Sequence, residues 1–173
     1  MPNKLNLPKK IRNLVDRELD PEEYIEWIEQ PIPRPFTLSS IFCVLFGIPF
    51  TFIGLPASII IFGLPFLIVG LGFMLTPFWI WRAAKNTVYL VTDKRAISFE
   101  GGWSTTIKSY LPNQLQTIYR KERVDGTGDV IFAMERWKDS DGDKQTKEVG
   151  FMGIRNPQEV EKILKNLANQ DQG

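Results

Sequence analysis

Between Arg34 and Arg82 the chain carries no acidic or basic side chain, and its apolar part, Phe36–Trp81, runs for 46 residues. One helix across a bilayer needs about 20 residues. A single helix of the whole run would reach about 69 Å, more than twice the hydrocarbon thickness. Two helices joined by a tight turn fit the length better. The stretch FIGLPAS, Phe52–Ser58, lies at the centre. Pro56 there has no backbone N–H to donate, and Gly54 adopts turn dihedrals at little cost. The pattern predicts a transmembrane hairpin with helices over about 37–53 and 57–80 and a membrane turn at 54–56. A hairpin that dips into the bilayer and returns is the alternative. FGIP, IGLP and FGLP recur at Phe46, Ile53 and Phe62. They read as a hinge, as a seam of small residues, or as the ordinary abundance of Gly and Pro in membrane helices. Their unequal spacing favours abundance.

The ends of the run predict orientation. Arg34 precedes it; Trp79, Trp81, Arg82 and Lys85 close it and suit a membrane interface. Lys9, Lys10, Arg12 and Arg17 lie on the same side of a hairpin, whose turn is uncharged. The positive-inside rule makes that side cytoplasmic. The sequence therefore predicts an integral membrane protein with both termini in the cytoplasm. The polar start does not read as a cleaved signal peptide.

Elsewhere, composition narrows the chemistry. The 173 residues carry a net charge of +1, no histidine and one cysteine, Cys43. No global field argues for nucleic acid, and neither a disulfide framework nor a cysteine zinc site can form within one chain. The commonest general base is missing. No phosphate loop or nucleotide fingerprint occurs, so no enzyme, catalytic residue, cofactor or metal is expected. The DSDGD turn sets Asp139, Asp141 and Asp143 at calcium-loop spacing. Its glycine comes two places early and Gly150 stands where the last ligand belongs, so it reads as a solvated turn.

The polar N-terminal segment 1–35 offers either a short helix from Asp20 to about Glu29 or an extended EYIEWI. Pro31, Pro33 and Pro35 then enforce extension. Residues 82–173 form the main domain. NTVYLVT, AISFE, TTIKSYLP, QTIYRKERV, DVIFAMERW and TKEVGFMGI read as six strands, with DGTG a strong hairpin signal. A helix over about 157–169 begins at NP, with Asn156 as cap and Val160, Ile163, Leu164 and Leu167 as its apolar stripe.

Four stretches resemble the bacterial pleckstrin-homology-like (PH-like) domain proteins found as short membrane-anchored chains. EEYIEWIEQPIPRP matches the Glu-x-x-x-Trp-x-x-Gln-Pro lead, and VYLVTDKRAI the Tyr-x-x-Thr-x-x-Arg hairpin. DGTGDVIF matches Gly-x-Gly-x-hydrophobic, and FMGIRNPQEVEKIL matches Phe-x-x-Ile-x-Asn-Pro. The resemblance implies an α+β membrane protein in which the hairpin leads into a split β-barrel capped by a C-terminal helix. That fold has seven strands, so Tyr24–Ile28 or a short strand missed among the six supplies the last. The implied task is that of a membrane-anchored protein-interaction or assembly module at the cytoplasmic face. Its partners would be the lipid bilayer and another membrane or cytoplasmic protein, with a homo-oligomer open. The alternative is a reader of anionic lipid headgroups. For either, Lys94, Arg95, Lys121 and Arg123 are the candidate binding residues, although acidic residues are interleaved with them.

Overall fold

The computed structural model describes residues 7–55, 60–102, 104–139 and 142–170. The described chain is α+β, with five α-helices and two antiparallel sheets. It divides into two compact units: Pro33–Ala84, and the residues on either side of it.

The β unit begins with α1, Lys9–Glu18. Leu7, Ile11 and Val15 recur every fourth residue, so one face of the helix is apolar. That face packs with Val88, Leu90, Ile97 and Phe99. Next comes β1, Ile25–Glu29, which settles the ambiguous EYIEWI segment as a strand. The six strands read from the sequence follow as β2 Val88–Thr92, β3 Ala96–Gly101, β4 Thr105–Tyr110, β5 Tyr119–Glu122, β6 Gly128–Lys138 and β7 Lys144–Ile154. They form one sheet in the order β1-β2-β3-β4 and another in the order β5-β6-β7. No ladder joins the two sheets among the described residues, so the expected single split barrel is corrected to two separate sheets.

Strand β2 is buried along its whole length. Val88 and Leu90 face α1, while Tyr89 and Val91 face the other core, which explains why VYLVT shows no polar alternation. In that second core Phe151 gathers the aromatic rings. Trp27 stacks on it at 5.5 Å, Tyr89 stacks at 4.9 Å, and Phe132 meets it edge-on at 5.0 Å. Helix α5, Pro157–Asn169, adds Val160, Leu164 and Leu167. Asn156 precedes it but makes no side-chain cap to the backbone; its amide donates to Glu159 Oε2 at 2.9 Å instead. At the DGTG turn, Gly126 takes a φ of +76°, and Arg123 N donates to Thr127 O at 2.8 Å. A side chain is strained at such a φ, which is the reason for glycine there.

The second unit holds the apolar run, folded as α2 Leu38–Gly54, α3 Ile60–Met74 and most of α4 Thr76–Lys85. Thr37 and Ser40 start α2 by capping each other's backbone N–H, at 3.3 and 2.9 Å. The expected second helix over 57–80 is broken in two. Pro77 cannot donate to the carbonyl of Phe73 and its ring crowds that carbonyl, so the ladder stops at Leu75 and restarts.

This break corrects the transmembrane reading. At 1.5 Å per residue, α2 spans about 26 Å and α3 about 22 Å, both short of the roughly 30 Å of hydrocarbon. No single helix among the described residues is long and apolar enough to cross a membrane; only the pair Gly63–Met74 and Thr76–Lys85, bent by 43°, has the length and composition together. The expected transmembrane hairpin, the integral membrane location and the cytoplasmic placement of termini and domain therefore lose their support.

Candidate binding pocket beside the β2–β3 turn

The motif residues Glu23, Thr92 and Arg95 converge although 72 residues separate the outer two. Glu23 precedes β1, Thr92 ends β2, and Arg95 closes the turn into β3. The Glu23 side chain is 0 % exposed. Its Oε1 accepts from Thr92 Oγ1 at 2.7 Å and from Arg95 Nε at 2.9 Å. Its Oε2 accepts from Arg95 Nη2 at 2.9 Å and from the Asp20 N–H at 3.1 Å. Burial pushes this carboxyl up, but the bonds from Arg95, Thr92 and Asp20 outweigh it and hold the pKa down at about 2. Arg95 Nη2 also donates to the carbonyl of Glu18 at 2.8 Å, so α1, β1 and the β2–β3 turn share one guanidinium.

In front of this clamp lies a pocket of about 410 Å³, lined by Asp20, Lys94, Arg95, Ser109, Leu111 and Gln114. Arg95 Nη1 lies 3.4 Å from Ser109 Oγ and 3.7 Å from the Glu18 carboxylate, so the guanidinium meets two carboxylates. Gln114 sits in a single 3-10 turn, Pro112–Gln114, and its Oε1 accepts from the Leu111 N–H at 2.9 Å.

Of the four expected binding residues, Lys94 and Arg95 lie together here. Lys121 and Arg123 belong to the second sheet and its turn, and each meets a carboxylate: Lys121 that of Glu148, Arg123 that of Asp129 at 2.7 Å. Nearby cations are paired too, Arg120 with Glu161 and Lys108 with Glu135 at 3.6 Å. Lys94 is exposed and enters no ion pair among the described residues.

The other expected positions lie on or beside the helical segments. Arg34 stands in the extended lead to α2; Trp79, Trp81, Arg82 and Lys85 all fall on α4, with Trp79 and Trp81 about 40 % exposed (42 % and 39 %). Gly54 does not make the turn. It ends α2 against α3, where an added Cβ would lie 2.6 Å from Leu67 N and 2.7 Å from Gly63 O. Pro56, its expected partner, lies outside the described residues. Gly47 and Gly70 make the same close approach, so the small residues form a seam rather than merely being abundant.

With the seam turned inward, the large side chains of the hairpin face outward. Phe42, Phe52 and Ile68 are 64 %, 68 % and 61 % exposed. A groove of about 600 Å³ runs between Phe42, Cys43, Leu45, Phe46, Pro49 and Phe73. No group of three His, Cys, Asp or Glu side chains able to hold a metal occurs among the described residues. No family model, curated protein or solved structure matches the chain.

Proposed function

We propose that the chain is a protein-interaction or assembly module, a binder rather than a catalyst, in which the apolar hairpin is the docking element and the β unit the folded body. The observation that carries this is the ring of large exposed side chains on α2 and α3, among them Phe42, Leu45, Phe46, Phe52 and Ile68. Apolar area of this extent marks an interaction site. Covering one such side chain is worth about 1.5–3 kcal/mol, so a handful of contacts suffices for a stable complex. The resemblance to the bacterial PH-like domain proteins supports the same reading by analogy.

The test is photocrosslinking in cells from positions 46 and 68, with position 124 in the exposed β5–β6 turn as control. Protein adducts of discrete mass from 46 and 68 alone support the module. Adducts to lipid only, or none, overturn it. A second reading, contact with anionic lipid headgroups, is favoured by α4, where Arg82 follows Trp79 and Trp81. In vesicle co-sedimentation it requires binding to anionic vesicles alone, falling as salt rises.

A further inference from the structure

We propose that the occupant of the groove on the α2–α3 hairpin is a second copy of this chain, the two hairpins closing face to face into a four-helix bundle. That a protein docks there rests on the interaction-module reading; that the protein is a second copy rests on a repeat within the hairpin. FGIPFTFIG, Phe46–Gly54, and FGLPFLIVG, Phe62–Gly70, share both phenylalanines, the proline and both glycines at matching places. In the fold the two copies of this module run antiparallel, the first glycine of each against the last of the other. A Cβ added at Gly47 would lie 2.7 Å from Gly70 O, and one at Gly54 would lie 2.7 Å from Gly63 O. The central residues of the modules, Phe50 and Phe66, stack on each other at 5.9 Å. A local two-fold axis therefore passes between these two rings. The hairpin is one module already packed on a near-copy of itself.

The stacked pair belongs to the groove side of the hairpin. Phe46 packs on Phe50 at 5.0 Å and edge-on against Phe73 at 5.6 Å, and Phe46 and Phe73 line the groove with Phe42 and Leu45. A two-fold contact between copies needs a patch that fits itself. A face built around its own two-fold meets that need, whereas an unrelated partner has to match both halves of the repeat. The run carries no charge, so two copies meet there without repulsion or a stranded ion. With α2 about 26 Å long and two helices about 20 Å across, the face measures about 500 Å² in projection. Its ridged accessible area is larger and approaches the roughly 800 Å² that each partner of a stable complex buries. Ile68, two residues beyond Phe66 and about 200° round α3, points away from the groove.

The experiment co-expresses two full-length copies with different tags, one of them carrying a photocrosslinker at position 46. An adduct of two chain masses that bears both tags is expected. Phe42→Arg in both copies should cut that adduct about tenfold, since each side loses a groove-lining ring. Ile68→Arg, on the far face, should leave it unchanged. A second measurement needs no substitution. In the purified full chain at a fixed detergent concentration, maleimide labelling of Cys43 on the groove wall should slow as the protein concentration rises. An adduct from position 46 with one tag only would overturn the second copy and leave the module reading standing. Lipid adducts or none, at 46 and 68 alike, would overturn both. A dual-tag adduct that survives Phe42→Arg, or Cys43 labelling independent of concentration, would also overturn the proposal. Position 68 lies outside the contact, so its protein adducts report on the module reading alone.

Discussion

Glu23 shows how much one buried carboxylate can be asked to do. Its pKa is depressed from 4.5 to about 2 in the folded chain, so it binds its proton more weakly there than when unfolded. The resulting stability is fully present above pH 4.5 and is lost as the pH falls through 2. The full depression corresponds to about 3 kcal/mol. Acid unfolding followed by near-UV circular dichroism should therefore steepen between pH 4.5 and 2 in the parent chain. In Glu23→Gln it should flatten over that window, with about 3 kcal/mol already missing at pH 7, since Arg95 is left without its buried partner. Tyr110 tests the opposite case. Burial, then the charges of Glu135 and Glu100, push its hydroxyl up to about 12, and that hydroxyl is buried with no hydrogen-bond partner among the described residues. Its ring packs edge-on against Phe132 at 5.2 Å. Tyr110→Phe keeps the ring and removes the orphan group, so the thermal midpoint should hold or rise, by the equivalent of about 1 kcal/mol. A clear fall would mean that the hydroxyl has a partner.

Among the helices, the glycines of the hairpin are not equivalent. A Cβ on Gly70 would lie 2.4 Å from Thr51 Oγ1 and 2.6 Å from Thr51 N, whereas one on Gly72 meets nothing within 4 Å. Gly70→Ala should force α2 and α3 apart and lower the melting temperature of the full chain in detergent. Gly72→Ala should leave it unchanged or raise it, by up to about 1 kcal/mol of helix propensity. Equal effects would remove the seam. This contrast is invisible in the sequence, where both are glycines in an apolar run and only pairing across the hairpin separates them. Strands were easier to read, because β-branched runs between Gly and Asp turns are local signals. Helix α1 was missed for the opposite reason: its stripe of Leu7, Ile11 and Val15 is thin among charged neighbours. The break at Pro77 carried a local signal, but a lone proline near a helix end reads equally as a first-turn residue. In the candidate site Lys94 and Arg95 are neighbours in sequence, but Glu23, Asp20 and Gln114 come from distant segments that only the fold assembles.

In the molecule as a whole, β1 and β2 are antiparallel neighbours, Glu29 opposite Tyr89, although residues 33–84 intervene. The chain comes back to where it left: Gln30 Nε2 donates to the carbonyl of Lys85 at 2.8 Å. Replacing 33–84 by a short Gly-rich turn should therefore leave the β unit folded, with its aromatic near-UV signal retained and amide protection across β1–β2. A chain cut to 82–173 should do worse, since it lacks Trp27, Glu23 and the α1 stripe. If the excised variant melts without cooperativity while 82–173 folds, the division into units is wrong. The same return of the chain also sets a timetable. Strands β2, β3 and β4 are neighbours in sequence as well as in space and can zip by short turns, whereas β1 has to find its place across a long loop. Closing that loop in an unfolded flexible chain costs about 2 kcal/mol more than closing a tight turn. Within its sheet β1 is thus expected to dock last, and until it does Arg95 waits without Glu23.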